Sequence, residues 1–195
     1  VRVTGLLPLP YFAQLELGYW DGAHSHSDEH TSVEYTENMI SSRLWNSFNF
    51  SKNRELEIGL NYLSANNGMS DDTQELVVVD LTYDVVNNSS DSYKVQSELY
   101  RANYGEDGED KEVQSGFFVS GLYQFSPNYE VGLRYGFLGS HGDEGDDETQ
   151  ISLFLSKQLT ETSKFRVQYN ANDTDEDLFV AQFIFGMGPH AHVLQ

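Results

Sequence analysis

Three histidines stand close together in His24-Ser-His-Ser-Asp-Glu-His30, and neutral imidazoles at short spacing are the ligands that zinc, copper or nickel select. Asp28 and Glu29 lie between them, where carboxylates could complete a shell and raise the local cation concentration. His24 and His26 are two apart, so an extended segment directs both to one side, and a bend around Asp28 and Glu29 returns His30 toward them. The pattern permits a metal site, and it also permits a solvated hydrophilic loop. A second acidic run, His141-Gly-Asp-Glu-Gly-Asp-Asp-Glu148, offers oxygen ligands to calcium or magnesium. Its spacing does not match the calcium loop of a helix-loop-helix hand, and it reads as diffuse cation binding.

Catalytic chemistry finds little footing. Cysteine is absent, which removes thiolate nucleophiles, thiolate metal sites and disulfides together. No Gly-x-Ser-x-Gly elbow occurs, and Ser140 next to His141 does not make a nucleophile and base, because neighbours in sequence do not face one another in that geometry. Gly-rich phosphate cradles are missing too. We expect no enzyme and no required cofactor, with zinc or another divalent cation as the possible bound ion.

The elements that must carry these residues announce themselves by period two. Leu56, Ile58, Leu60 and Tyr62 alternate with Glu55, Glu57, Gly59 and Asn61, and Val131, Leu133, Tyr135 and Phe137 alternate with Glu130, Gly132, Arg134 and Gly136. Only a strand puts such sets on opposite faces. The same alternation marks Phe12 to Trp20, Ile40 to Phe50, Leu76 to Tyr83, Tyr93 to Tyr104, Val113 to Phe125, Gln150 to Leu159, Lys164 to Ala171 and Leu178 to Met187, which makes about ten strands.

Two kinds of connection take turns between them. Ser51 to Arg54, Asn87 to Ser92, Ser126 to Asn128 and Thr160 to Ser163 are short and rich in turn formers. Asp21 to Asn38, Ser64 to Glu75, Gly105 to Glu112, Gly139 to Thr149 and Asn172 to Asp177 are strongly acidic. A soluble sandwich has no reason to gather its acid at one end of every hairpin. An outer-membrane barrel has one, since its short turns lie in the periplasm and its longer polar loops lie outside the cell. Lipid leaves no strand edge unpaired, so the strands should close. In that inverted arrangement the mid-strand charges Arg43, Glu57, Arg134 and Arg166 face the lumen, and Tyr19, Trp20, Tyr62, Tyr83, Tyr104, Tyr123, Tyr129 and Tyr169 near strand ends match interfacial girdles. The predicted fold is therefore all-β, an antiparallel transmembrane barrel of about ten strands forming one domain over residues 1–195, with an even strand number if the chain closes on itself.

A formal net charge of −20 over 195 residues argues against nucleic acid as a partner and for cations. In an outer membrane, acidic loops can share divalent ions with lipopolysaccharide, so outer-membrane lipid, lipopolysaccharide and divalent cations are the expected partners. The chain opens at Val1-Arg-Val-Thr-Gly without a basic, then apolar, leader. It reads as a mature protein or as a piece beginning inside a larger barrel.

The tail Gln182-Phe-Ile-Phe-Gly-Met-Gly-Pro-His-Ala-His192 resembles the last strand of the bacterial zinc-regulated outer-membrane receptor and porin-like proteins. The opening Thr4-Gly-Leu-Leu-Pro-Leu-Pro-Tyr-Phe-Ala-Gln-Leu-Glu-Leu-Gly18 is similar to the Pro-rich lead-in to a barrel strand in the same group. The resemblance implies a barrel for passage or capture of small solutes, divalent metals such as zinc foremost, and it points to His190 and His192 as ligands. The chain departs from the pattern by ending in Val193-Leu-Gln195 rather than in Phe, and by being shorter than the receptor-like members. The alternative reading is an outer-membrane interaction protein without a channel, whose acidic loops bind divalent ions and the cell surface.

Overall fold

A computed structural model describes residues 1–21, 35–67, 73–104, 112–140, 146–173 and 176–186. They form β1 (Arg2–Leu6), β2 (Phe12–Trp20), β3 (Tyr35–Ser51), β4 (Arg54–Asn67), β5 (Thr73–Asn88), β6 (Asp91–Tyr104), β7 (Glu112–Ser126), β8 (Tyr129–Leu138), β9 (Glu148–Thr160), β10 (Ser163–Asn172) and β11 (Leu178–Phe185). All eleven lie in one sheet in chain order, each antiparallel to the next. Every expected strand is present. The additional one is β1, five residues long, whose Val1, Arg2, Val3, Thr4 alternation is too brief to stand out. Most strands outrun the expected segments, because polar ends such as Gln74, Glu75 and Asn88 go on pairing through the backbone whatever their side chains.

Each of four short turns has only two residues outside the ladder, since Ser51 pairs with Arg54, Asn88 with Asp91, Ser126 with Tyr129 and Thr160 with Ser163. Beside every one the register slips by a residue, leaving Phe50, Asn87, Phe125 and Leu159 without an opposite partner. A bulge of this kind adds twist and re-aims the chain where the strand ends. The acidic connections all leave from the other end of the sheet. Two further register shifts lie toward that end of β3, between the Tyr35 and Glu37 pairs and between the Glu37 and Ile40 pairs, and Asn38 in the second takes φ 51°. Asn tolerates the left-handed region better than other side chains, and its carbonyl oxygen accepts a hydrogen bond from the Tyr19 hydroxyl at 2.8 Å.

The register sorts residue types by face. Leu15, Leu44, Leu60, Val79, Leu99, Phe117 and Phe137 pair directly in sequence across β2 to β8, a continuous apolar row. A row on the opposite face runs Ser47, Glu57, Thr82, Gln96, Ser120, Arg134, Ser152 and Asn170 from β3 to β10. The apolar face is the exposed one: Leu60, Leu99, Leu133 and Leu153 are 47–54% exposed, whereas Ser47, Ser152, Ser156 and Asn170 are buried among their neighbours. Among the described residues the buried hydrophobic side chains are Ala13, Ala65 and Val85. No second sheet covers the apolar face, so its natural cover is hydrocarbon.

Closure is not seen among the described residues: β1 pairs with β2 alone and β11 with β10 alone. Eleven strands alternating in direction leave β1 and β11 running the same way, so the expectation of an even, self-closed set is not met here.

Candidate functional site

Alternation puts one side chain in two on the polar face, and the ladder then brings side chains from several strands within reach of one another. Arg43 of β3 donates from Nη1 to Asn61 Oδ1 of β4 at 2.8 Å and from Nη2 to Asp80 Oδ1 of β5 at 3.0 Å, while Asn61 Nδ2 donates to Asp80 Oδ2 at 2.7 Å. The closed triangle satisfies both carboxylate oxygens. Gly59 lies directly opposite Asp80, and a Cβ there would stand 2.1 Å from the carboxylate, so the small residue leaves the room Asp80 occupies.

A second cluster sits on β8 to β10. Glu130 Oε1 accepts from Lys164 Nζ at 2.9 Å and from Arg166 Nη2 at 3.3 Å, and Arg166 Nε donates to Ser156 Oγ at 3.0 Å. The guanidinium also lies 4.5 Å from the centre of the Phe154 ring, which covers Gly132 so closely that a Cβ would meet it at 2.0 Å. Cation and ring face attract through the ring quadrupole. Nearer the turns, Asp84 pairs with Lys94 at 3.5 Å and Ser47 donates to Glu55, while Glu16, level with Arg43, pairs with Arg2.

Charge is divided across this face. From β1 to β6 the carboxylates Glu16, Glu55, Glu57, Asp80, Asp84 and Glu98 outnumber Arg2, Arg43 and Lys94. From β8 to β10 the cations Arg134, Lys164 and Arg166 outnumber the carboxylates Glu130 and Glu148. Within the acidic half, reaching β7, a recess of about 460 Å³ is lined by Arg43, Asp80, Thr82, Gln96, Glu98 and Phe118 with their neighbours.

Arg43, Glu57, Arg134 and Arg166 all fall on this polar face by register. Asn61, Asp80, Glu98, Glu130 and Lys164 belong with them and escaped sequence reasoning, although Asn61, Glu130 and Lys164 share parity with Glu57, Arg134 and Arg166 in their strands. Parity was the available signal. What it cannot supply is the identity of the partner across the ladder. His24, His26, Asp28, Glu29 and His30 lie outside the described residues, as do His141, His190 and His192. Among the described residues no group of three or more Asp, Glu or His side chains is placed to hold a metal ion, and no helix is long and apolar enough to cross a membrane.

No family model matches the chain. No curated protein matches it either, so the resemblance to the zinc-regulated receptors gains no support from these comparisons. Among solved structures the chain is similar to the outer membrane channel DcaP of Acinetobacter baumannii, with a TM-score of 0.59 and 14% identity, over 93% of this chain and 60% of that one. The chain thus spans about 60% of the length of the channel it matches. At that identity the likeness speaks for the fold, and with the inverted faces it identifies the eleven strands as the wall of an antiparallel β-barrel of the outer-membrane type.

Proposed function

We propose that this chain forms the wall of a bacterial outer-membrane channel for small polar solutes. The carrying observation is the inversion of the sheet: Leu60, Leu99 and Leu153 stand exposed on one face, while ion pairs and hydrogen bonds among Arg43, Asn61, Asp80, Glu130, Lys164 and Arg166 occupy the other. Hydrocarbon accepts the first face and rejects the second, so the second must line an aqueous interior. Barrel width grows with strand number, and eleven strands already exceed the eight whose interior side chains fill. The similarity to an outer membrane channel supports the same reading.

Outer-membrane lipid surrounds the apolar face in this proposal, and the acidic connections hold divalent cations against the phosphates of lipopolysaccharide. Zinc as the cargo is the narrower form of the proposal and rests on histidines outside the described residues. The test is single-channel recording of the protein, isolated folded from the outer membrane, in planar lipid bilayers. Reproducible conductance steps are expected. Silence from folded protein would overturn the channel and leave the cell-surface interaction protein standing.

A further inference from the structure

Most charges on the polar face are neutralised by a partner across the ladder; among the described residues the charges without an ion pair are Glu55, Glu57, Glu98, Glu148 and the single cation Arg134, and two of these lie together. Glu98 of β6 and Arg134 of β8 make no ion pair among the described residues. They flank the same aromatic ring. Phe118 of β7 pairs directly with Glu98 across the ladder, and the Arg134 guanidinium carbon lies 4.1 Å from the centre of the Phe118 ring. Directly opposed residues have Cβ atoms about 5 Å apart, so Glu98 and Phe118 are neighbours on this face, and both line the same recess. Small neighbours keep the place open: Arg134 is paired with Ser120 and Ser152, and Phe118 with Gly136. The recess on the Glu98 side continues past Gln96 and Thr82.

Resting on the channel reading and naming its cargo, we propose that Glu98, Phe118 and Arg134 form a subsite for zwitterionic solutes of the α-amino acid class. The ammonium group meets the Glu98 carboxylate, the carboxylate meets the Arg134 guanidinium, and the apolar part lies on Phe118. A simple anion is repelled by Glu98 and a simple cation by Arg134. A molecule carrying both charges satisfies both groups at once, and charge-assisted contacts of this kind are among the stronger hydrogen bonds. Phe118 lines the recess and favours a solute with an apolar side chain, since apolar surface brought against the ring is removed from water.

The experiment compares three probes that share a phenyl ring, L-phenylalanine, 2-phenylethylamine and 3-phenylpropionate, by calorimetric titration into the intact protein in detergent micelles. L-phenylalanine is expected to bind at least about tenfold more tightly than either single-charge probe, the effect of one further charge-assisted contact. Glu98→Gln should weaken L-phenylalanine and 2-phenylethylamine by about tenfold without weakening 3-phenylpropionate, and Arg134→Gln should weaken L-phenylalanine and 3-phenylpropionate by about tenfold without weakening 2-phenylethylamine. Equal affinity for the three probes, absence of binding, or indifference of both variants would each overturn the subsite. Binding retained by a protein that is silent in bilayers would strike the channel alone. A conducting channel that does not distinguish the probes would strike the subsite alone.

Discussion

Lys164 is the most deeply placed cation on the polar face, with 7% of its side chain exposed, and its partner Glu130 keeps 15%. Such a pair matters less for its own attraction than for the cost of leaving one member without the other. Glu130→Gln should lower folding stability by about 3 kcal/mol, the lower end for breaking a buried pair, read as the urea midpoint of refolding into lipid vesicles. Glu16→Gln, which frees the exposed Arg2, should cost under about 1 kcal/mol in the same assay. A similar loss in both would show that water reaches the Glu130 cluster freely. At the same scale, zinc capture at His24, His26 and His30 predicts that a triple alanine variant loses zinc affinity in calorimetric titration. Because the imidazoles must be neutral to ligate, affinity in the unaltered protein should weaken as pH falls below about 6.5. Equal affinity with and without the three would pass the candidacy to His190 and His192. Residue types were plain in the sequence, but that Arg43 meets Asp80 rather than Glu57 depends on a stagger between strands that no spacing along the chain encodes.

Strands were the most legible elements, because the parity of Leu56 to Tyr62 or Glu130 to Phe137 has no helical reading. Parity also carries a prediction. Leu153 sits mid-strand on the apolar face, 54% exposed, and Leu153→Arg should destabilise the folded protein in bilayers by about 2–4 kcal/mol, as for a cation near the hydrocarbon midplane. Gln96→Arg, on the polar face, should change stability by no more than about 0.5 kcal/mol. Comparable penalties for both would contradict the assignment of the faces. Glycine positions sharpen the picture of the ladder: Gly116→Ala brings a Cβ within 2.7 Å of the Phe137 carbonyl oxygen, whereas a Cβ at Gly121 meets nothing within 4 Å. The first substitution should cost about 1–3 kcal/mol through overpacking and the second much less, measured by the same urea titration. The bulges at Phe50, Asn87, Phe125 and Leu159 were illegible beforehand, since a slip of one residue next to a turn leaves the alternation on each side intact.

For the molecule as a whole, the absence of cysteine makes orientation directly measurable. Asp146→Cys in an acidic connection should react with a membrane-impermeant maleimide on intact cells, and Ser89→Cys in a two-residue turn should react only after the outer membrane is opened. The opposite pattern would invert the barrel. The edges are the other matter at this scale, since β1 and β11 pair on one side only among the described residues and Phe179, Phe183 and Phe185 of β11 are more than half exposed. Lipid tolerates neither a bare ladder nor an odd antiparallel ring, so further strands must meet these edges for a closed wall. Alternation and the two kinds of connection specified, from composition and order alone, an antiparallel sheet with one apolar face and acid gathered at one end. Side-chain period and turn chemistry are local properties, written within a few residues of where they act. The pairing of Glu98 with Phe118, the triangle of Arg43, Asn61 and Asp80, the division of charge between β1–β6 and β8–β10, and the unclosed edges came from the folded sheet. The contacts join residues 18 to 37 positions apart, and a single residue of stagger between strands would have matched other partners or turned these side chains to the lipid.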